Sequence, residues 1–88
     1  MLLKTIKVTN KLGLHARPSA LIVRTATKFR SDFFISKDGM EVNGKSIMGV
    51  MMLAAECGAT LQLKADGVDE EYLLREIETL ISSGFGED

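Results

Sequence analysis

The segment FFISKDGMEV, residues 33–42, contains the clearest signal for a β-sheet in this chain. Apolar side chains stand at alternate positions on both sides of a central Asp-Gly pair, at Phe33, Ile35, Met40 and Val42. Such alternation is typical of strands with one buried face. Asp-Gly is a strong signal for a two-residue hairpin turn, because both turn positions need a positive φ. The segment therefore predicts two antiparallel strands joined at Asp38-Gly39.

Two further segments show the same alternation outside the hairpin. Ile6 and Val8 alternate with threonine and lysine, and Leu61, Leu63 and Ala65 alternate with polar residues later in the chain. Each segment predicts a strand that is apolar on one face and polar on the other. Together with the hairpin, they predict four strands.

Three segments between and after these strands predict helices. Pro18 suits a first helical turn, where its missing N–H costs nothing. Ser46 is a plausible N-cap for a short helix ending near Gly58. Acidic residues 69–71 suit the start of a last helix, and residues 84–88 are expected to fray. The buried faces are expected to contain Pro18, Ile22, Ala26 and Phe29 in the first helix and Leu73, Ile77, Leu80 and Ile81 in the last.

The predicted element order is β-α-β-β-α-β-α. Since every strand has one polar face, we expect an α+β fold with an open sheet, all helices on one face and solvent on the other. The 88 residues fit a single domain, residues 1–88, with one core. Hydrophobic residues make up 45% and charged residues 26%, a globular balance that argues against disorder.

The cysteine content and the length of the apolar runs indicate the cellular compartment in which the protein is expected. A lone cysteine, Cys57, excludes an internal disulfide and favours a reducing environment. Residues 1–10 lack the apolar stretch of a signal peptide. The longest apolar run, residues 47–55, is far shorter than the roughly 20 residues that span a bilayer. We therefore expect a cytoplasmic protein without membrane insertion.

Charge is distributed unevenly along the chain. Residues 1–45 contain nine basic and three acidic residues, whereas residues 46–88 contain two basic and nine acidic ones. This polarity suggests a basic face for an acidic or anionic partner, although folding could equally mix the charges in space. A nucleic-acid partner is not expected, because aromatic residues are not interleaved with the basic ones.

The segment LGLHARPS, residues 12–19, contains the only histidine of the chain, His15, just ahead of the first predicted helix. Unpaired N–H groups at a helix start, such as that of Ala16, form an anion site, and the Arg17 guanidinium suits phosphate oxygens. A neutral imidazole is a nucleophile near pH 7. No carboxylate lies near in sequence to form an acid/base pair, which favours a carrier over a hydrolase. An inert or capping surface histidine is the open alternative.

Three other functions for these residues are less well supported by the sequence. One histidine and one distant cysteine do not form a zinc set, so no metal or cofactor is expected. Residues 39–46 match the P-loop pattern G-x-x-x-x-G-K-S, but the hairpin prediction places half of that pattern in a strand. An enzyme using His15 as general acid/base would need a cavity and a partner acid beside it.

Four large apolar residues crowd the short second helix: Ile47, Met48, Met51 and Met52. Some of them must pack in the core. Four such residues in six positions nevertheless exceed one buried face. The remaining side chains would be exposed, and flexible methionines suit a surface that binds several partners.

The motifs GLHARP (residues 13–18) and KSIMGV (residues 45–50), at this separation, resemble the HPr family, the histidine-containing phosphocarriers of the bacterial phosphoenolpyruvate-dependent phosphotransferase system. The resemblance extends over nearly the whole chain. It implies an open-faced β-sandwich in which a four-stranded antiparallel sheet is covered on one face by three helices. It also implies a phosphoryl carrier, not an enzyme with turnover, and we expect a monomer.

The resemblance implies roles for individual residues. His15 would accept a phosphoryl group on Nδ1 from phosphorylated enzyme I and pass it to an enzyme IIA domain for sugar uptake, with Arg17 as phosphate partner and Pro18 fixing the helix start. Ser46 would be the regulatory serine of HPr kinase/phosphorylase, in bacteria that possess that enzyme. Ile47 and Met48 would lie beside His15 and form the docking patch. Apart from the resemblance, Met51 is a further candidate for that patch. Candidates for its rim are the basic residues Arg24, Lys28 and Lys45, for which surface solubility is the equal alternative. A carrier of the nitrogen-related branch, with regulatory targets, is the alternative.

Overall fold

The computed structural model describes residues 1–86, and its elements follow the predicted order. The four strands and three helices are β1 (Leu2–Lys7), α1 (Ala16–Ala26), β2 (Asp32–Lys37), β3 (Met40–Asn43), α2 (Ile47–Met52), β4 (Thr60–Asp66) and α3 (Glu70–Ser82), and a 3₁₀ turn, Gly84–Gly86, follows α3.

The strands form one antiparallel sheet in the order β1-β4-β2-β3. β4 therefore lies between the first strand and the hairpin, and it pairs with both neighbours. The register aligns Leu63 of β4 with Ile35 of β2, so the apolar positions share one face. The predicted hairpin is confirmed, since Asp38 and Gly39 both have positive φ, 51° and 84°.

The core lies between the apolar face of the sheet and the helices. The residues with 1% or less of their surface exposed come from both layers and include Ile22, Ala26, Phe33, Ile35, Leu61, Leu63, Leu73, Ile77 and Ile81. Alternate residues of β4 are exposed on the opposite face. The open-faced architecture predicted from strand alternation is thus confirmed.

Four details of the predicted elements were wrong. Phe29, expected on the buried face of the first helix, lies beyond the end of α1 and is only partly buried. α2 ends at Met52 rather than near Gly58, because Ala54 adopts a left-handed conformation (φ 48°) that turns the chain away. In α3, Leu80 is only partly buried, and the buried stripe includes Leu74 instead. The expected fraying after α3 is wrong for residues 84–86, which form a turn with a buried Phe85; the last two residues of that predicted tail lie outside the described residues.

No helix within residues 1–86 is long and apolar enough to cross a membrane.

Candidate functional site

His15 is the N-cap of α1, and its backbone is extended (φ −79°, ψ −168°). The first hydrogen bond of the helix runs from the N–H of Ser19 to the carbonyl oxygen of His15, at 3.0 Å. Within the described residues, the imidazole accepts no capping hydrogen bond from the backbone of this turn. The side chain is half-buried. The ring is therefore supported by the fold and still reached by solvent.

The loop ahead of His15 is fastened to the segment that follows α2. The N–H of Leu14 donates to the carbonyl oxygen of Ala55 at 2.8 Å. Gly13 has a φ of +68°, and a Cβ at this position would lie 2.3 Å from the same oxygen. Asn10 Nδ2 donates to the Gly13 carbonyl at 2.8 Å, and Ser19 Oγ donates to the Leu14 carbonyl at 3.1 Å. These contacts fix the backbone on which the imidazole is mounted.

The first turn of α1 begins two residues before Pro18, which is buried at the third helical position. A proline there removes one of the N–H groups that would lack an intrahelical acceptor. Ala16, the first helical residue, keeps an N–H group directed out of the helix start, and its side chain is exposed. Such N–H groups carry positive partial charge and suit an anion.

The Arg17 side chain is exposed and reaches the far end of the chain. Its Nη1 donates to the carbonyl oxygen of Phe85 at 3.2 Å. Phe85 is 3% exposed and has a φ of 60°, in the left-handed region that a bulky residue rarely adopts. Sequence reasoning missed this partner because residues 84–88 were expected to fray; a large apolar residue between two glycines was the signal.

Ser46 is the N-cap of α2, as predicted. Its Oγ accepts a hydrogen bond from the N–H of Gly49 at 3.1 Å, and its side chain is half-buried. The segment before it, Met40–Asn43, is strand β3. Because a phosphate-binding loop requires curled backbone at those positions, the structure agrees with the rejection of the P-loop.

All four large apolar side chains of α2 singled out in the sequence are exposed. The exposed fractions are 44% for Ile47, 77% for Met48, 43% for Met51 and 65% for Met52. The expectation that some of them pack in the core is wrong, since Val50 is the buried residue of this six-residue helix. α2 packs against α1, the helix that His15 begins. We call these four side chains the α2 patch.

The basic residues predicted at the rim of the patch differ in their contacts. Arg24 is exposed in the last turn of α1. Lys28 is exposed beyond the end of that helix. Lys45 is half-buried, and its Nζ donates to the carbonyl oxygen of Phe29 at 2.8 Å. Neither α1 nor α2 contains an aspartate or glutamate.

Elsewhere the charges of the two halves of the chain do mix. Lys4 pairs with Glu78 at 3.2 Å, and Lys64 pairs with Glu41 at 3.0 Å. Both pairs join residues that are far apart in sequence. The helix that follows His15, α1, therefore has basic residues and no acidic ones, whereas Lys4 and Lys64 are paired with carboxylates. Among residues 1–86, no three His, Cys, Asp or Glu side chains form a group that could hold a metal ion.

This fold and site define a class of protein that presents an imidazole at its surface. The half-exposed imidazole stands at a helix start, and the neighbouring helix exposes large apolar side chains. Such a surface fits a macromolecular partner, because contiguous exposed apolar side chains mark interaction sites.

Comparison with known proteins gives the family. The model of the PTS HPr component phosphorylation site matches residues 2–83. The phosphocarrier protein HPr of Treponema pallidum is 48% identical over 88 residues, a match that covers 100% of both chains. A crystal structure of HPr-C-His from Thermoanaerobacter tengcongensis is similar, with a TM-score of 0.96, 49% identity and coverage of 100% of this chain and 99% of that one. This chain belongs to the HPr family of phosphocarrier proteins.

A second solved structure bears on the oligomeric state of a relative. The crystal structure of an HPr dimer from Thermoanaerobacter tengcongensis is similar, with a TM-score of 0.80, 49% identity and coverage of 99% of this chain and 100% of that chain. The expected monomer stays a prediction for the present chain.

Proposed function

We propose that this protein accepts a phosphoryl group on His15 from phosphorylated enzyme I and passes it to an enzyme IIA domain in sugar uptake. The observation that supports this most directly is a half-exposed imidazole at the N-cap of α1, two residues before the Arg17 guanidinium. In the transfer, the lone pair of Nδ1 forms a bond to phosphorus while the bond between phosphorus and the donor breaks. The reverse exchange delivers the group to the acceptor.

Phosphoryl transfer depends chiefly on positioning and on stabilising the charge of the transferred group. The N–H groups at the start of α1, including that of Ala16, supply positive partial charge without reorganisation. Arg17 supplies a planar donor fork that suits phosphate oxygens. Its contact with the Phe85 carbonyl holds the guanidinium near the surface, from which it could rotate onto a phosphorylated ring.

The deciding experiment is incubation with phosphoenolpyruvate and purified enzyme I, followed by intact mass. We expect an acid-labile gain of one phosphoryl group in the wild-type chain and none in His15→Ala. Arg17→Ala should still be phosphorylated, but more slowly, because the nucleophile remains while the charge partner is lost. A wild-type chain that gains no mass, or a His15→Ala variant that does, would contradict the proposal.

The α2 patch serves as the docking surface in this proposal, with Ile47, Met48 and Met51 in contact with partners and Arg24 and Lys45 at the rim. Methionine side chains adapt to partners of different shape. A surface without carboxylates on either helix is complementary to an acidic partner. Both enzyme I and an enzyme IIA domain could then use the same surface in turn.

A pair of matched substitutions tests the docking surface. Met48→Asp places a charge in the patch, whereas Met40→Asp places one on strand β3, where the side chain is also exposed (47%) but lies outside α2. We expect the KM of enzyme I for this protein to rise in Met48→Asp only. Circular dichroism should show that both variants are folded. Equal kinetics for the two variants would argue against this surface.

Regulatory phosphorylation of Ser46 is the second part of the proposal. Its Oγ already accepts the N–H of Gly49, so a phosphoserine could keep the cap, and the first-turn N–H groups favour negative charge. The added charge would lie next to Ile47 and repel an acidic partner. Ser46→Asp should therefore slow transfer from enzyme I at low salt, whereas Ser46→Ala should not; equal rates at low salt would refute this mechanism.

A further inference from the structure

The Lys37 side chain is unusually buried for a lysine. It lies at the end of β2, and only 18% of its side chain is exposed. Its Nζ donates to the carbonyl oxygens of Leu53 and Ala54, at 3.3 and 3.4 Å. It also pairs with a Glu56 carboxylate oxygen at 3.5 Å. One ammonium group thus contacts three of the four residues that follow α2.

The carbonyl contacts matter more than the ion pair. Glu56 is 70% exposed, and exposed ion pairs add little to stability because water screens them. The low pKa of Glu56 agrees with this, since its main cause is a hydrogen bond from its own backbone N–H and Lys37 comes second. The carbonyl groups at the end of a helix, by contrast, lack intrahelical donors and carry negative partial charge.

The segment that Lys37 holds is the one that supports His15. Ala54 has a φ of 48°, a conformation that residues with a Cβ rarely adopt without tertiary support. The next residue, Ala55, accepts the N–H of Leu14 through its carbonyl oxygen, and the same oxygen determines how closely Gly13 approaches. A change in the orientation of the peptide after Ala54 would therefore move the backbone immediately before the imidazole.

We propose that Lys37 is a positioning residue for phosphoryl transfer: by binding the carbonyls of Leu53 and Ala54, it orients the Ala55 carbonyl that anchors the His15 loop. Lys37 touches neither the imidazole nor a bound phosphoryl group in this account. The inference rests on the proposed role of His15. Loss of the Lys37 ammonium group should weaken the Leu14 hydrogen bond, and it should also slow phosphoryl transfer.

The structural effect is tested by amide hydrogen exchange in Lys37→Met, which keeps the length of the side chain without its donors. The matched control is Lys64→Met, because Lys64 is also ion-paired, with Glu41, but lies on the sheet away from this loop. We expect exchange at Leu14, normalised to Leu73 in α3, to rise about tenfold in Lys37→Met. Lys64→Met should leave the ratio unchanged, and Lys37→Arg should restore it.

The effect on rate is tested in the same variants with enzyme I and phosphoenolpyruvate. We expect kcat to fall several-fold in Lys37→Met while KM stays within twofold, because the α2 patch remains and the imidazole becomes less well oriented. A lysine that merely stabilised the fold would change neither parameter in a folded variant. If Lys37→Met fails to fold, Lys37→Leu, which also lacks a donor, replaces it, with the same selective rise at Leu14 expected.

The outcomes separate the two proposals. If the wild-type chain takes up no phosphoryl group, the proposed function fails, and the exchange ratio still decides whether Lys37 holds the loop. If the wild-type chain is phosphorylated but the Leu14 ratio or kcat in Lys37→Met equals that of Lys64→Met, the positioning role is refuted and the carrier function stands.

Discussion

The substitution Gly13→Ala tests whether the approach of two backbone segments fixes the His15 loop. An added Cβ would lie 2.3 Å from the carbonyl oxygen of Ala55 and 2.9 Å from Cα of Glu56. Both neighbours are backbone atoms, so no flexible side chain can move aside. The loop and the segment after α2 must separate, and the Leu14 hydrogen bond to Ala55 must lengthen or break.

The expected magnitude has two parts. A left-handed conformation costs an L-residue about 1–2 kcal/mol, and Gly13 has a φ of +68°. Inserting the extra methyl group into this packed contact costs about a further 1–3 kcal/mol. The sum is about 3 kcal/mol, which a domain stable by roughly 5–15 kcal/mol can lose and stay folded.

Gly39→Ala provides the matched control, because Gly39 also has a positive φ, +84°, but nothing lies within 4 Å of its added Cβ. It should lose only the conformational part, about 1–2 kcal/mol. The measurements are urea unfolding of both variants and their rates of phosphorylation by enzyme I. We expect Gly13→Ala to be the less stable by about 2 kcal/mol and the slower to react. Equal stabilities would refute the argument that this close approach fixes the loop.

Three further predictions concern the caps and the chain end. Ser31→Ala removes the hydroxyl group that is the main cause of the low pKa of Asp69, about 2. The Asp69 carboxylate contributes its full stabilisation above about pH 4, and this contribution is lost as the pH falls toward 2. The variant should therefore show a higher Asp69 pKa by NMR and a smaller loss of stability to urea between about pH 4 and pH 2. Ser46→Ala should cost about 1 kcal/mol in urea unfolding through loss of the N-cap, whereas Ser46→Asp should cost less because aspartate also caps. Phe85→Ala should cost about 3 kcal/mol by leaving a cavity, and NMR should show increased mobility of the Arg17 guanidinium; an unchanged Arg17 signal would contradict the anchoring role of this turn.

The parts of the fold that sequence predicted are those with a local cause. The Asp38-Gly39 turn follows from two residues that tolerate positive φ, and the strands follow from alternation along each segment. The end of α2 has no such local cause. Ala54 and Leu53 have no residue-type preference for stopping a helix, and the carbonyl groups at this stop are bound by Lys37 and Leu14, which are distant in sequence. A pattern within the segment could not reveal it.

The candidate site also has parts with a local cause and parts that depend on residues distant in sequence. His15, Arg17 and Ser46 were found from sequence because a helix start, a cation and a capping hydroxyl are recognisable within a few residues. The support of the site was missed, since the Ala55 carbonyl and the Phe85 carbonyl are backbone groups that any residue type possesses. Their positions depend on how loops meet in three dimensions. Sequence therefore identified the candidate side chains of the site better than the backbone contacts that hold them in place.

The length of α2 explains how a stable fold can leave an apolar surface exposed. A helix of six residues makes fewer than two turns, and here Val50 alone supplies its buried position. Met48 and Met52 consequently add little to folding, because their side chains remain 77% and 65% exposed. Replacing either with a polar residue should change the stability of the free protein by less than about 0.5 kcal/mol. Folding does not require their apolar character, whereas the proposed docking of a partner would account for it. The comparison of Met48→Asp with Met40→Asp tests that explanation.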